Sequence, residues 1–141
     1  MLQEKFSKRP QETPQILATN AREKELVDRA MKVIDRYIDN AEFNVDILAR
    51  EMGIARTKLF NKLKDITGQT PYDFIVTIRL KRAAIMLKEQ PEFNVSEVSD
   101  KLGFSSPRQF SKSFKEKYHT TPQAYRKGEA TEEDNQPEPF S

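Results

Sequence analysis

Two short segments of the chain gather side chains that can hydrogen-bond to base edges and to phosphates. In the first, "IARTKLFNKLKDI", Leu59 and Leu63 share one face of a helix, which leaves Arg56, Thr57, Phe60, Asn61 and Lys64 on the other. In the second, "SSPRQFSKSFKEKY", Phe110, Phe114 and Tyr118 point inward. Arg108, Gln109, Ser111, Lys112 and Lys115 then point outward. Arg, Asn and Gln can make paired hydrogen bonds to bases in the major groove of duplex DNA. Lys, Ser and Thr more often hold phosphates and set register. The candidate base readers are therefore Arg56, Thr57, Phe60 and Asn61 on the first helix, and Arg108, Gln109 and Lys112 on the second. Pro107 fixes that helix's entry angle. The candidate phosphate contacts are Lys58 and Lys64, then Ser106, Ser111 and Lys115. Phe60 has two readings, packing against a neighbouring helix or apolar contact with a thymine methyl group. Arg79 and Arg82, with Lys81, lie between the two segments. They either reach phosphates there or form a solvated, ion-paired face.

Each segment follows the same apolar skeleton. Met52 and Leu102, Ile54 and Phe104, Leu59 and Phe110, and Leu63 and Phe114 correspond. The offset is 50 residues up to Gly53 and Gly103 and 51 thereafter, which puts one extra residue in the second turn. In both copies a small residue (Ala49, Ser99) precedes the glycine by four, and an apolar residue follows it. The small residue lets two helices cross closely, and the glycine makes a tight turn into an amphipathic, basic helix. That is the pattern of a helix-turn-helix, present twice.

The remaining elements hold these two units. Asn20 and Glu23 form a capping pattern for a first helix running to about Asn40, with Leu26, Val27, Ala30, Met31, Ile34, Tyr37 and Ile38 on its apolar stripe. Asn44 caps the next helix, and Gly53 stops it. The first reading helix runs from about Ala55 to Ile66 and is closed by Gly68. Thr70 and Pro71 open a long helix that ends before Pro91. Asn94 with Glu97, Ser106 with Pro107, and Thr121 with Pro122 open three more, the last ending near Lys127. The expectation is an all-α fold of about seven helices, with two helix-turn-helix subdomains joined by a long central helix. Residues 1–20 read as a linker or lead and 21–127 as the domain, with the first unit in 21–69, the joining helix in 70–90 and the second unit in 91–127. Residues 128–141 read as an acidic, disordered tail.

The totals narrow the function classes. In 141 residues, 36% are hydrophobic and 33% charged, which suits a helical domain with a modest core. Residues 44–127 carry 16 Lys and Arg against 9 Asp and Glu, whereas 128–141 carry none against 5. A basic body favours a polyanionic partner. No apolar run approaches the roughly 18 residues of a membrane helix, so no membrane contact is expected of this segment. The absence of cysteine removes disulfides, thiolate metal sites and a cysteine nucleophile, and fits the cytoplasm. There is no Gly-rich phosphate loop, nucleophile elbow or paired histidine, so neither catalysis, cofactor nor metal is expected. His119 reads as a turn residue. The alternative to DNA binding is a helical protein-interaction module for an acidic partner, which would present an apolar groove.

The stretches "RLKRAAIML" and "NVSEVSDKLGFSSPRQFSKSFKEKYHTTPQAYR" resemble the C-terminal DNA-binding domain of AraC/XylS-type transcription regulators. Gly103-Phe104, Phe110, Phe114-Lys115 and the closing Thr121, Pro122, Tyr125 and Arg126 carry the resemblance, which covers about residues 26 to 127. It implies seven helices and two reading helices entering major-groove segments about one turn apart. By position, the base-reading sites fall on Thr57, Phe60 and Asn61, and on Pro107, Arg108, Gln109 and Lys112. Phe60 departs from the polar residues common there. The resemblance further implies activation of transcription through contact with RNA polymerase. "ARTKLFNKLKDITGQTPYDFI" is similar to the output domains of hybrid two-component regulators. Residues 1–20 would then link to an upstream receiver or sensor domain, and the chain would be a fragment.

Overall fold

A computed structural model describes residues 21–128 as seven α-helices, with no strand among the described residues. The expected lead at 1–20, including the Asn20 cap, lies outside them, as does the tail beyond Gly128. The helices are α1 (Ala21–Arg36), α2 (Val45–Met52), α3 (Arg56–Thr67), α4 (Pro71–Glu89), α5 (Val95–Lys101), α6 (Pro107–Tyr118) and α7 (Pro122–Lys127). None is long and apolar enough to cross a membrane among the described residues.

Local chemistry sets most of the boundaries. Asn44 accepts from the Ile47 amide, Thr70 from Asp73, and Thr121 from Ala124. Asn94 and Glu97 form the full reciprocal capping box, each side chain bonding the other's backbone amide. Proline occupies the first turn of α4, α6 and α7, where its missing N–H costs nothing. The expected length of α1 is corrected. The helix stops at Arg36, and residues 37–40 turn so that the Tyr37 ring stacks on Phe43, 5.1 Å between centroids.

The two turns after α2 and α5 share one hydrogen-bonding scheme. Ile54 N–H donates to Ala49 O and Phe104 N–H to Ser99 O, each at 3.1 Å. Both bonds close around a glycine in the left-handed region, Gly53 at φ 73° and Gly103 at φ 79°. The repeat seen in the apolar skeleton is thus a repeat of backbone geometry.

Two cores result. Val27, Ile34, Leu48, Met52, Leu59, Leu63 and Phe74 belong to the first lobe, built from α1–α3 and the start of α4. Leu87, Val98, Leu102, Phe110 and Phe114 belong to the second, built from the end of α4 and α5–α7. The second is an aromatic stack in which Phe114 meets Phe110 at 5.7 Å, Tyr125 at 5.3 Å and Tyr118 at 4.6 Å. Helix α4 serves both lobes. Ile75 and Ile78 enter the first core, and Leu80, Ala83, Ala84 and Leu87 enter the second. At about 1.5 Å per residue, its 19 residues span about 28 Å.

Candidate nucleic-acid interface

Helix α3 buries Leu59, Leu63, Ile66 and Thr67 and leaves Arg56, Thr57, Lys58, Phe60, Asn61 and Lys64 exposed. Helix α6 buries Phe110 and Phe114 and leaves Pro107, Arg108, Gln109, Lys112 and Lys115 exposed. Ser106 and Ser111 are half-buried. Apart from Arg79, Ser106 and Ser111, every residue assigned to base or phosphate contact is thus exposed on its helix. Phe60 is 44% exposed, so the packing alternative loses ground and a large apolar surface stands among polar neighbours. Lys58, Lys64, Arg108, Lys112 and Lys115 form no ion pair among the described residues.

The two reading helices start differently. Ser106 Oγ accepts from the Gln109 amide at 3.1 Å, so its oxygen caps α6 and only the hydroxyl proton remains to donate to a phosphate. Helix α3 begins after Ala55 with no side-chain cap. Arg56 Nη1 instead lies 2.6 Å from Asp46 Oδ1 in the first turn of α2. The pair is well over half exposed on both sides, so it adds at most about 1 kcal/mol and its guanidinium can be redirected. Gln109 Nε2 bonds Ser113 Oγ at 3.1 Å, which aligns the amide along α6. The Asp46 pairing joins two helices ten residues apart in chain and carries no local signal, whereas Gln109 and Ser113 stand at the i,i+4 spacing that could have revealed theirs.

Arg79 corrects the sequence reading. It is only 7% exposed and donates from Nη2 to Asn40 O at 2.9 Å, so it faces the junction between the lobes and no phosphate. Burial pulls its pKa below the ordinary guanidinium value. Arg82 is also corrected in part, since it is half-exposed and paired with Asp35 of α1. The ion-pair alternative holds there. Two further arginines cap helix ends: Arg29 donates to Met52 O at 2.6 Å, and Arg126 to Leu87 O at 2.9 Å and Gln90 O at 3.3 Å. Each supplies donors to carbonyls that a helix C-terminus leaves orphaned. Between the lobes lies a cleft of about 180 Å³ with Asn44, Tyr72, Arg79, Phe104 and Gln109 among its walls. Among the described residues no cluster of acidic or histidine side chains could hold a metal.

Two matched helix-turn-helix units, each presenting a basic and polar helix from a shared central strut, define a tandem nucleic-acid-reading domain. A helix-turn-helix domain family matches residues 48–128, and the chain belongs to it, as a member of its AraC type of DNA-binding transcription regulators. That is a family of DNA-binding domains rather than of enzymes. The chain is 40% identical over 124 residues to histidine kinase P4 of Formosa agariphila, covering 88% of this chain and 9% of that protein. It is 37% identical over 105 residues to the HTH-type transcriptional regulator MtrA of Neisseria gonorrhoeae, covering 74% of this chain and 34% of that one. The chain thus spans about a third or less of the length of these relatives. Its fold is similar to the C-terminal domain of AraT, a response regulator from Geobacillus stearothermophilus. The TM-score is 0.70 at 21% identity, over 85% of this chain and 98% of that one.

Proposed function

We propose that this chain reads one asymmetric duplex site through two adjacent major-groove segments, α3 taking one and α6 the other. The observation that carries the reading is the pairing of one backbone geometry with two unlike surfaces. Both turns close with the same hydrogen bonds, yet one helix offers Arg56, Thr57, Phe60 and Asn61 and the other Pro107, Arg108, Gln109 and Lys112. Unlike surfaces on like scaffolds suit unlike half-sites, so a single copy suffices for recognition. Lys58, Lys64, Lys115 and the serines 106 and 111 hold phosphates and set register. Phe60 takes a thymine methyl.

The likeness to a histidine kinase over 9% of its length, and to a response-regulator domain, supports a role as the output module of a signalling protein, coupled to a receiver or sensor domain. Activation through RNA polymerase, in the cytoplasm, follows from the family reading. Selection from a randomised duplex pool, followed by salt titration of the enriched site, tests the core of this. Two unlike half-sites about 10 base pairs apart are expected. Arg108→Ala should cost about 1–3 kcal/mol and relax preference in one half-site only, whereas Lys115→Ala should lower the log–log salt slope by about 1. Enrichment of a strict palindrome bound only by dimers would overturn the reading. No enrichment at all would return the basic helices to the adaptor alternative.

A further inference from the structure

We infer that Arg79 is a positioning residue that fixes the angle between the two reading helices, an inference that rests on the two-segment reading above. The closely packed helix pairs are α1 with α2, α2 with α3 and α3 with α4 in the first lobe. In the second they are α4 with α5 and α7, α5 with α6, and α6 with α7. None joins a helix of one lobe directly to a helix of the other except through α4. The lobes therefore depend for their mutual orientation on α4 and on whatever meets beside it.

What meets there is a three-way junction. Arg79 sits on α4 between Ile78, which belongs to the first core, and Leu80, which belongs to the second. Its Nη2 donates to Asn40 O in the α1–α2 turn of the first lobe. Against it lies Gly103, in the helix-turn-helix turn of the second lobe. A Cβ on Gly103 would fall 2.5 Å from Ile38 O, 2.7 Å from Arg79 Nη2 and 2.9 Å from Arg79 Cζ. The glycine backbone thus rests on the guanidinium and on a first-lobe carbonyl at a distance no other residue permits. Ile38 packs against both cores, so the junction is continuous with each.

The chemistry of Arg79 favours positioning over stability. Among the described residues the buried Nε has no hydrogen-bond partner, and no carboxylate pairs with the guanidinium. Desolvating a charge with an unsatisfied donor is costly, and an apolar side chain of similar length would fill the same volume more cheaply. A planar, directional group does what an apolar one cannot: it ties a carbonyl of one lobe while presenting a flat surface to the turn of the other. The turn it supports leads directly into α6. Along duplex DNA, one base pair shifts the next half-site by about 3.4 Å and rotates it by roughly 35°. A junction that holds the lobes to within a few degrees would therefore make the domain discriminate between spacings.

The test has two arms. The chain has no native cysteine, so Lys62→Cys on α3 and Glu116→Cys on α6, both exposed and outside the proposed reading set, accept spin labels at those sites alone. Electron–electron distance measurements without DNA should give one narrow distribution in the parent and a broadened or shifted one in Arg79→Met. Arg79→Lys, which retains charge and one donor, should lie between them. An unchanged distribution in a folded Arg79→Met protein would overturn the inference whatever the DNA data show. If Arg79→Met does not fold, the same comparison is decided on Arg79→Lys.

The second arm measures affinity for the selected site and for versions with one base pair added or removed between half-sites. The parent should favour the native spacing by about tenfold or more, the size of one well-made base contact. The Arg79 variants should lose that preference while retaining their preferences within each half-site. Equal weakening on all three spacings marks a merely structural role and overturns the inference. A parent indifferent to spacing would instead refute the two-segment reading, with the spin-label arm still reporting on Arg79.

Discussion

Truncating one ring at the centre of the second lobe should melt that lobe and leave the first standing. Phe114 is fully buried and touches three other aromatic rings. Burial alone makes Phe114→Ala cost about 3–5 kcal/mol. Three aromatic pairs, each worth about 0.5–1.5 kcal/mol beyond area, put the cost toward the top of that range. Domains of this size have about 5–15 kcal/mol in total. Because the buried residues fall into two clusters joined only through α4 and Ile38, the loss falls mainly on the second. Amide exchange followed by mass spectrometry should show protection lost by a factor on the order of a thousand across α5, α6 and α7. Protection should persist in α1, α2 and α3. Within α4 the boundary should fall near Arg79, where the core-facing residues change allegiance. On DNA, the variant should retain contacts to one half-site only. Protection lost uniformly across all seven helices would refute the separation of the cores, as would a cost below about 2 kcal/mol.

Gly53→Ala should cost about 1–2 kcal/mol, since a side chain at φ 73° is strained but meets open space, and Gly103→Ala should cost distinctly more because its Cβ collides with Ile38 O; chemical denaturation of both variants checks the order. Asn94→Ala removes the capping box of α5 and should cost about 0.5–2 kcal/mol by the same measurement. Burial, reinforced by the nearby Tyr125, pushes the Tyr118 phenol up to about 12. Its neutral form is favoured by folding, so stability is fully present below the unfolded value near 10 and is lost as pH rises through about 12. Tyr118→Phe should flatten that alkaline loss in thermal melts taken between about pH 9 and 12.

The caps, prolines and positive-φ glycines were legible because each acts within four residues of itself. Asn94 and Glu97 form their capping box from local geometry alone, whatever the tertiary fold. The doubled skeleton was legible for another reason, the recurrence of one apolar spacing 50 to 51 residues later. Arg79 was not, because its partners lie 39 and 24 residues away in chain, at Asn40 and Gly103. A signal did exist. Ile75 and Ala83, one turn to either side of it, are both buried, so the helical period places Arg79 on the apolar stripe. Helix α4 obscured that stripe because it is buried by two lobes on different sides. Its apolar residues go nearly all the way round. Phe60 was legible despite its residue type, since the helical period set by Leu59 and Leu63 places it on the outer face, where it is exposed.

The sharing of α4 between two cores also governs how such a domain can change over generations. Adding or deleting one residue between Ile78 and Leu80 would swing one lobe about 100° around the helix axis relative to the other. Arg79 is the one residue between them, so a deletion there removes it and an insertion carries it away from Asn40 or from Gly103. The length of α4 is therefore locked in a way that its surface sequence is not. Mutation can rewrite α3 and α6 side chain by side chain and so alter which letters are read. The gap between the words can shift only by whole helical turns, or by rebuilding the junction itself. Lineages carrying this architecture should diversify freely in vocabulary and scarcely at all in grammar.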